Sequence, residues 1–387
     1  MKNRLVLAGA AVVASVGLGA AASPAVAQPL SVNVNCGDVQ ALIQAVVDAN
    51  ANPEGGRIRL AKNCAYRFET DFVGTGNALP VITGNVTIAG HNSTLIRSVR
   101  GLQFRLLQVA GTGNLTLKGL TVTGGVTAGD GGGINNAGTL RLEHSKVAGN
   151  QSGGDGGGIN NEGGNVTLIS SHVLTNVATN LPGLPGDGGG ISNNPTGTLT
   201  LKKSNVVGNT ADEDGGGIQN EGTLTVEEST IKHNEARDDD GGGINNIGTA
   251  TVEHSDLTEN WAGLEGGGIN NSEEAKLYVR DTTLFLNKAG RDGGGINNEG
   301  FASLKKTKVI KNSAGRDGGG INNALVTRRA AAATQLVLEH VTVTENRAAR
   351  NGGGVNNATG AKVSATETKI TDNLPTNCNG VVPGCRN

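Results

Sequence analysis

The chain has 387 residues with 63 glycines but only five Phe, two Tyr and one Trp, and its 32 basic and 34 acidic side chains give a formal net charge of −2. That balance argues against a nucleic-acid footprint. So few large side chains exclude the centre of an ordinary compact globule and leave a thin core of stacked aliphatics.

The opening "MKNRLVLAGAAVVASVGLGAAASPAVAQP" sets Lys2 and Arg4 before an apolar run that ends on Ala25-x-Ala27, the layout of a secretory signal peptide. The run stops at a proline with nothing basic behind it, and no other run approaches the length of a membrane span. Residues 1–27 are therefore set apart from the fold. The expectation is a secreted, extracellular or cell-surface protein, monomeric, with no transmembrane span in the mature chain.

Residues 28–112 read as a cap followed by irregular coils. In "CGDVQALIQAVVDAN", Val39, Leu42, Ile43, Val46 and Val47 recur at helical spacing behind Asp38, a candidate N-cap. This predicts a short helix over residues 37–50 that closes the near end of the fold.

Residues 113–373 repeat. "GGGI" or "GGGV" begins at Gly131, Gly156, Gly188, Gly215, Gly241, Gly266, Gly293, Gly318 and Gly352, at intervals of 25 to 34 residues. A period near 25 points to a solenoid. Between triplets runs a thirteen-residue pattern, as in "GTLRLEHSKVAGN" (138–150) and "GTLTVEESTIKHN" (222–234), whose third, fifth and tenth positions are aliphatic. Short runs of period two broken by turns are strands. With the "GINN" that follows each triplet, every coil has three short strands and stacks on the next, a parallel β-helix.

Stacking accounts for the residues that recur. Two places after each Ile or Val of "GGGI/V" stand Asn136, Asn161, Asn193, Asn220, Asn246, Asn271, Asn298, Asn323 and Asn357. Period two turns them inward with the Ile and leaves the residue between on the outside. An inward amide with a copy above and below donates and accepts along the stack, so these residues form an internal ladder. The thirteenth position carries another Asn, expected at a left-handed turn, and the eighth carries hydroxyls from Ser145 to Thr368, broken at Val341. The glycines mark a corner with no room for a Cβ.

The pairing of "VxxN" with a following "GGGI", as in "VIKNSAGRDGGGINN", resembles the "FxxN" and "GGAI" tetrapeptides of polymorphic outer membrane protein repeats. The resemblance spans roughly residues 113–373. It implies a right-handed parallel β-helix of the pectate-lyase-like (pectin lyase-like) architecture, and a surface or adhesin-like role. Two departures stand out: Val, Ile or Leu replaces the Phe, and no autotransporter barrel follows Asn387.

Residues 374–387 form the far cap. Cys36 and Cys64 fall near one end of such a rod and Cys378 and Cys385 near the other, beyond bonding reach, so the expected disulfides are Cys36–Cys64 and Cys378–Cys385. Two insertions, 177–186 and 324–335, lengthen corners, and the second brings Arg328 and Arg329 into a candidate binding loop.

Before the triplets stand Asp130, Asp155, Asp187, Asp214, Asp240, Glu265, Asp292 and Asp317, then Asn351. Stacked at ~4.8 Å, neighbouring carboxylates repel by roughly 0.9 kcal/mol even in water. Two offsets are open: hydrogen bonds from the following glycine N–H groups, helped by Arg291, Arg316 and Arg350, or Ca²⁺ held between coils by Asp187, Asp214, Asp240, Glu265, Asp292 and Asp317. No other cofactor is indicated. The "NTD", "GHG" and "RIK" set that marks polygalacturonases is missing, and His144, His254 and His340 occupy one repeat position on non-adjacent coils, so no catalytic residue is assigned. The functional expectation is a non-catalytic β-helix rod that binds a glycan or an extracellular or surface protein. The alternatives are a polysaccharide lyase or glycoside hydrolase acting on an acidic polysaccharide, and an ice- or lattice-binding solenoid using Thr198, Thr200, Thr223, Thr225, Thr249 and Thr251.

Overall fold

The computed structural model describes residues 28–98, 101–181, 185–325 and 334–387. Within them the chain winds into an all-β parallel solenoid of about 12 turns, consistent with a right-handed parallel β-helix, with a single helix. Three sheets of 23, 9 and 11 strands run along the axis, and every ladder in them is parallel.

One coil shows how the repeat folds. Thr223–Glu227 and Thr230–Lys232 lie in the first sheet, bent at Glu228; Glu235–Ala236 lies in the second, and Ile244–Asn246 in the third. Thus the three-faced coil read from the sequence holds two segments on its first face. Leu224, Val226 and Ile231 point inward and register with Ala250, Val252 and Leu257 of the next coil, all fully buried. Each aliphatic so covered contributes roughly 1.5–3 kcal/mol, which lets a core without large residues hold the rod together.

The turns correct one expectation. Positive φ falls on the seventh and twelfth repeat positions, such as His144 (49°), His233 (54°), Glu259 (56°) and Lys311 (56°), not on the Asn at the thirteenth. That Asn is buried for its amide. Asn150 Nδ2 donates to Asn176 Oδ1 at 3.0 Å, and the same oxygen accepts the Asn150 backbone N–H at 3.0 Å. The glycine corner matches its expectation: a Cβ on Gly132 would stand 2.4 Å from the carbonyl oxygen of Gln151.

At the near end, Asp38 caps the helix Val39–Ala51 by accepting from Ala41 N–H at 2.9 Å. Its buried face is Leu42, Ala45, Val46 and Ala49; Val47, expected inward, is exposed because the stripe is carried by the alanines. Tyr66, Phe68 and Phe104, the largest fully buried side chains, are concentrated in these first coils. Cys36 is bonded to Cys64 and Cys378 to Cys385. Among the described residues no helix is long and apolar enough to cross a membrane.

Candidate functional site

The invariant Asn ladder is continuous. From Asn136 through Asn161, Asn193, Asn220, Asn246, Asn271, Asn298 and Asn323 to Asn357, each Nδ2 donates to the next Oδ1 at 2.7–2.8 Å. Each Nδ2 also reaches a backbone carbonyl, as Asn246 does to Lys276 at 3.2 Å. These side chains hold coils together and face no solvent.

A second ladder was missed from the sequence. The residue between Ile and Asn leaves the strand on its outer side, as period two requires, yet it is buried in all nine coils. The glycine corner folds back over it: a Cβ on Gly156 would lie 2.7 Å from Asn160 Cα. Its amides donate towards the N-terminal end, opposite to the inner ladder, as Asn270 to Asn245 (2.8 Å), Asn297 to Asn270 (2.9 Å) and Asn322 to Asn297 (2.8 Å). The signal lay in the composition, since seven of the nine positions are Asn. Ser192 and Gln219 interrupt it, and there the Oδ1 of Asn160 and the Oε1 of Gln219 are buried without a hydrogen-bond partner.

Outside this second ladder runs the acidic column. Its carboxylates accept from the backbone N–H of the next acidic residue, not from glycine: Asp214 N–H to Asp187 Oδ1 (2.9 Å), Asp240 to Asp214 (2.9 Å) and Glu265 to Asp240 (2.8 Å). The glycine N–H groups are spent on backbone carbonyls of the following coil, as Gly215 to Asp240. Charge compensation is uneven along the column. Arg291 pairs with Glu265 at 2.9 Å, Arg316 binds Asp292, and Asn351 Nδ2 donates to Asp317 at 2.9 Å. Arg350 gives its backbone N–H to the Arg316 carbonyl, and among the described residues its side chain pairs with no carboxylate. Towards the N-terminal end Arg105 reaches the backbone carbonyl of Asp130 at 2.9 Å. Between these ends burial, reinforced by neighbouring carboxylates, pushes Asp155 up to about 7, Asp187 to about 6, Asp214 to about 7 and Asp240 to about 8. Glu265 rises to about 7 for the same first reason, despite Arg291.

The first insertion docks on this corner: Asn180 Nδ2 donates to Glu213 Oε1 at 2.9 Å, and its backbone N–H to Asp212 Oδ2 at 3.1 Å. Arg328 and Arg329 of the second insertion lie outside the described residues.

Two outward surfaces remain. On the first sheet Thr198, Thr223 and Thr249 stack in one row and Thr200, Thr225 and Thr251 in the next, ending at Lys276 and Tyr278. There Tyr278 and Phe301 sit with ring centroids 5.7 Å apart beside a depression of 350 Å³. On the second sheet a longer groove of 740 Å³ has Trp261, Lys288, Ser313 and Arg347 stacked in register along it, between inward-facing alanines, with Leu374 and Pro375 at its far end. Sequence reading gave no sign of it, because its floor is made of alanine and glycine. His144, His254 and His340 are exposed turn residues, none beside another.

The chain matches no family model and no curated protein sequence. Among solved structures, an alginate lyase from Paenibacillus sp. str. FPU-7 is similar at 13% identity and a TM-score of 0.35, over 91% of this chain and 99% of that one.

Proposed function

We propose that the chain is an exported, non-catalytic β-helix rod, adhesin-like or structural, which binds a glycan of anionic character along the second-sheet groove. The observation that carries this reading is the outward row Trp261, Lys288, Ser313 and Arg347, about 14 Å long at the coil spacing, in an open groove of 740 Å³. A sugar ring presents an apolar C–H face edged by hydroxyls; an indole side chain offers the matching flat surface, and the cations and the hydroxyl beside it offer hydrogen bonds and charge. Among the described residues no carboxylate pairs with the Lys288 or Arg347 side chain, so both charges remain available to an acidic partner. Export is supported by the signal-peptide layout of residues 1–27 and by the two disulfides, which persist in oxidising compartments. The repeating polar residues support a structural role for the ladders themselves, because their hydrogen bonds are made to one another.

The test is retention of the mature chain, residues 28–387, on a glycan array that includes polyuronides, beside Trp261→Ala and Lys288→Ala variants. The expected result is retention that both variants weaken and no change in the glycan. Release of reducing ends or unsaturated products would replace this reading with a lyase or hydrolase. Retention on surface proteins alone would replace the glycan, and thermal hysteresis would move the function to the threonine rows.

A further inference from the structure

We propose that the outward face of the first coils, around Arg57, Arg59 and Lys62, is a second binding site, and that its ligand is a sulfated sugar. The site stands apart from the second-sheet groove, and either can fail without the other.

A depression of 400 Å³ opens at the near end of the first sheet, lined by Arg57, Arg59, Lys62 and His91 and by no carboxylate. Arg57 and Arg59 leave the strand Gly56–Leu60 on its exposed side, two residues and so about 7 Å apart. Lys62 and His91 come from the turns that follow on two stacked coils, and these turns are tied together. Asn63 N–H donates to the His91 carbonyl at 3.0 Å, and Asn92 Nδ2 donates to Asn63 Oδ1 at 3.1 Å. Beneath them the buried Tyr66 hydroxyl accepts from Ala61 N–H at 3.0 Å and donates to the Val34 carbonyl at 3.0 Å, while the Cys36–Cys64 disulfide joins the same two segments. The cations therefore stand on a braced frame, which lowers the ordering cost of binding.

The pairing of charges along the sheet sets this place apart. The outward row that contains Arg59 also carries Lys118, Lys202, Arg280 and Lys305. Each of those four pairs with a glutamate of the row on an adjacent coil: Glu143 at 2.8 Å, Glu227 at 3.0 Å, Glu253 at 2.8 Å and Glu339 at 2.8 Å. Arg59 instead lies between Asn33 and Ala89, and Arg57 between Ser31 and Thr87, so no neighbour in register can answer either. Arg59 Nη1 donates to Ser31 Oγ at 2.6 Å, which orients the guanidinium and leaves its remaining N–H groups for a ligand. Asp38, the acidic residue of this end that caps the helix, is turned to Ala41 N–H.

The lining also selects the ligand. A cleft of one sign of charge concentrates anions, and a guanidinium meets the oxygens of a sulfate with paired N–H donors. Three fixed cations exceed what a single carboxylate on a sugar ring can answer, whereas sulfate groups on one sugar or on neighbouring ones can meet Arg57 and Arg59 together. Asn33 and Asn35, which make no side-chain hydrogen bond among the described residues, supply amides for the sugar hydroxyls. No Phe, Tyr or Trp lines the depression, so charge and hydrogen bonds carry the contact.

The experiment is fluorescence anisotropy of a labelled heparin hexasaccharide, and of the same hexasaccharide after desulfation, with residues 28–387 at low and high NaCl. The expected result is binding of the sulfated form alone, weakened by salt. Arg59→Gln should weaken it about tenfold, the loss of charge-assisted hydrogen bonds. Ala89→Glu gives Arg59 the acidic neighbour that the rest of the row has; it should weaken binding at least as much while melting no lower than the parent. Lys305→Gln removes the same charge where Glu339 already answers it, and Trp261→Ala tests the other groove; both should bind as the parent does. No binding by the parent, equal binding of the desulfated form, full binding by Ala89→Glu or an equal loss in Lys305→Gln would overturn the site. Equal retention of polyphosphate would overturn the sugar, since charge alone would then be read.

Discussion

Asn246 Nδ2 stands 2.8 Å from Asn271 Oδ1, one coil further along the axis, while Asn246 Oδ1 accepts from Asn220 Nδ2 at the same distance. Both residues are fully buried, so each bond forms where water cannot replace it. Asn246→Ala would leave Asn271 Oδ1 without its ladder donor and would take from Asn220 Nδ2 its shortest acceptor, leaving it the carbonyls of Gly222 at 3.2 Å and Thr249 at 3.3 Å. The expected loss is about 2 kcal/mol, at 1–3 kcal/mol for an unsatisfied buried group. Urea denaturation followed by circular dichroism measures it. A midpoint unchanged from the parent would mean that the ladder contributes nothing to cohesion between coils.

Two glycines at different positions of the repeat pattern should behave oppositely. A Cβ on Gly242 would lie 2.3 Å from the carbonyl oxygen of Trp261, which belongs to the adjacent backbone and cannot step aside. Gly242→Ala is therefore expected to cost more than ~3 kcal/mol or to prevent folding. Gly149 has a positive φ (62°), its Cβ direction meets only Thr123 Oγ1 at 3.5 Å, and the equivalent places on other coils hold Thr175, His233, Glu259 and Lys311. Gly149→Asn should change stability by less than ~0.5 kcal/mol, since Asn tolerates left-handed backbone. Expression yield and melting temperature of the two variants give the comparison.

His172 links stability to pH. Burial lowers its affinity for protons, and Lys146, in register on the preceding coil, lowers it further. On the following coil Asn205 Nδ2 lies 3.1 Å from His172 Nδ1, an arrangement satisfied when the ring is neutral and that nitrogen accepts. At this residue the unfolded chain binds more protons than the folded one just below pH 6.5, so its own contribution to stability rises with pH through that window, against the raised carboxylates of the acidic corner, whose contribution falls as pH rises. The His172 contribution is complete above the unfolded pKa and is lost as pH falls through the lowered folded value. His172→Gln should therefore lower the melting temperature at pH 7.5 relative to that at pH 5, compared with the parent; an unchanged difference between the two pH values would place the titration elsewhere.

The parts of the fold visible in the sequence are those governed by period two and by copy number. Leu224, Val226 and Ile231 announce an inward face, and nine copies of one Asn announce a stack. What escaped depends on how a corner lies over a strand. Alternation puts Asn160 outside its strand, and only the fold of Gly156 over it turns the outside into an interior. Left-handed backbone was assigned to Asn150 because asparagine favours it, whereas Gly149 takes the positive φ and frees Asn150 to bond Asn176. The groove beside Trp261 was illegible for another reason: alanines 289, 314 and 348 mark its floor by what they lack. The charge imbalance of the corner was hidden too, because Arg291 and Arg316 stand beside acidic residues in sequence yet pair across coils or reach only part of the column.

The break in the outer ladder offers a gain instead of a loss. Asn160 donates to Asn135 Oδ1 at 2.9 Å, so its own Oδ1 is turned as in the intact part of the ladder, where Asn270 Oδ1 receives Asn297 Nδ2. In register with it stands Ser192, whose hydroxyl is spent on Asn194 Oδ1 at 3.2 Å, and the Asn160 oxygen is left without a donor. The corner over Ser192 has the geometry of the Asn coils: Gly188 has φ 64° and a Cβ there would meet Ile191 O at 2.6 Å, against 64° and 2.4 Å to Ile159 O at Gly156. Ser192→Asn should therefore fit, supply the missing Nδ2, and stabilise the chain by about 1 kcal/mol, the net worth of one recovered hydrogen bond. A higher urea midpoint for Ser192→Asn is the expected reading, with no gain in an Asn160→Ala background because the acceptor is then gone. A lower midpoint in the parent background would show that the serine keeps a space that the asparagine amide cannot enter.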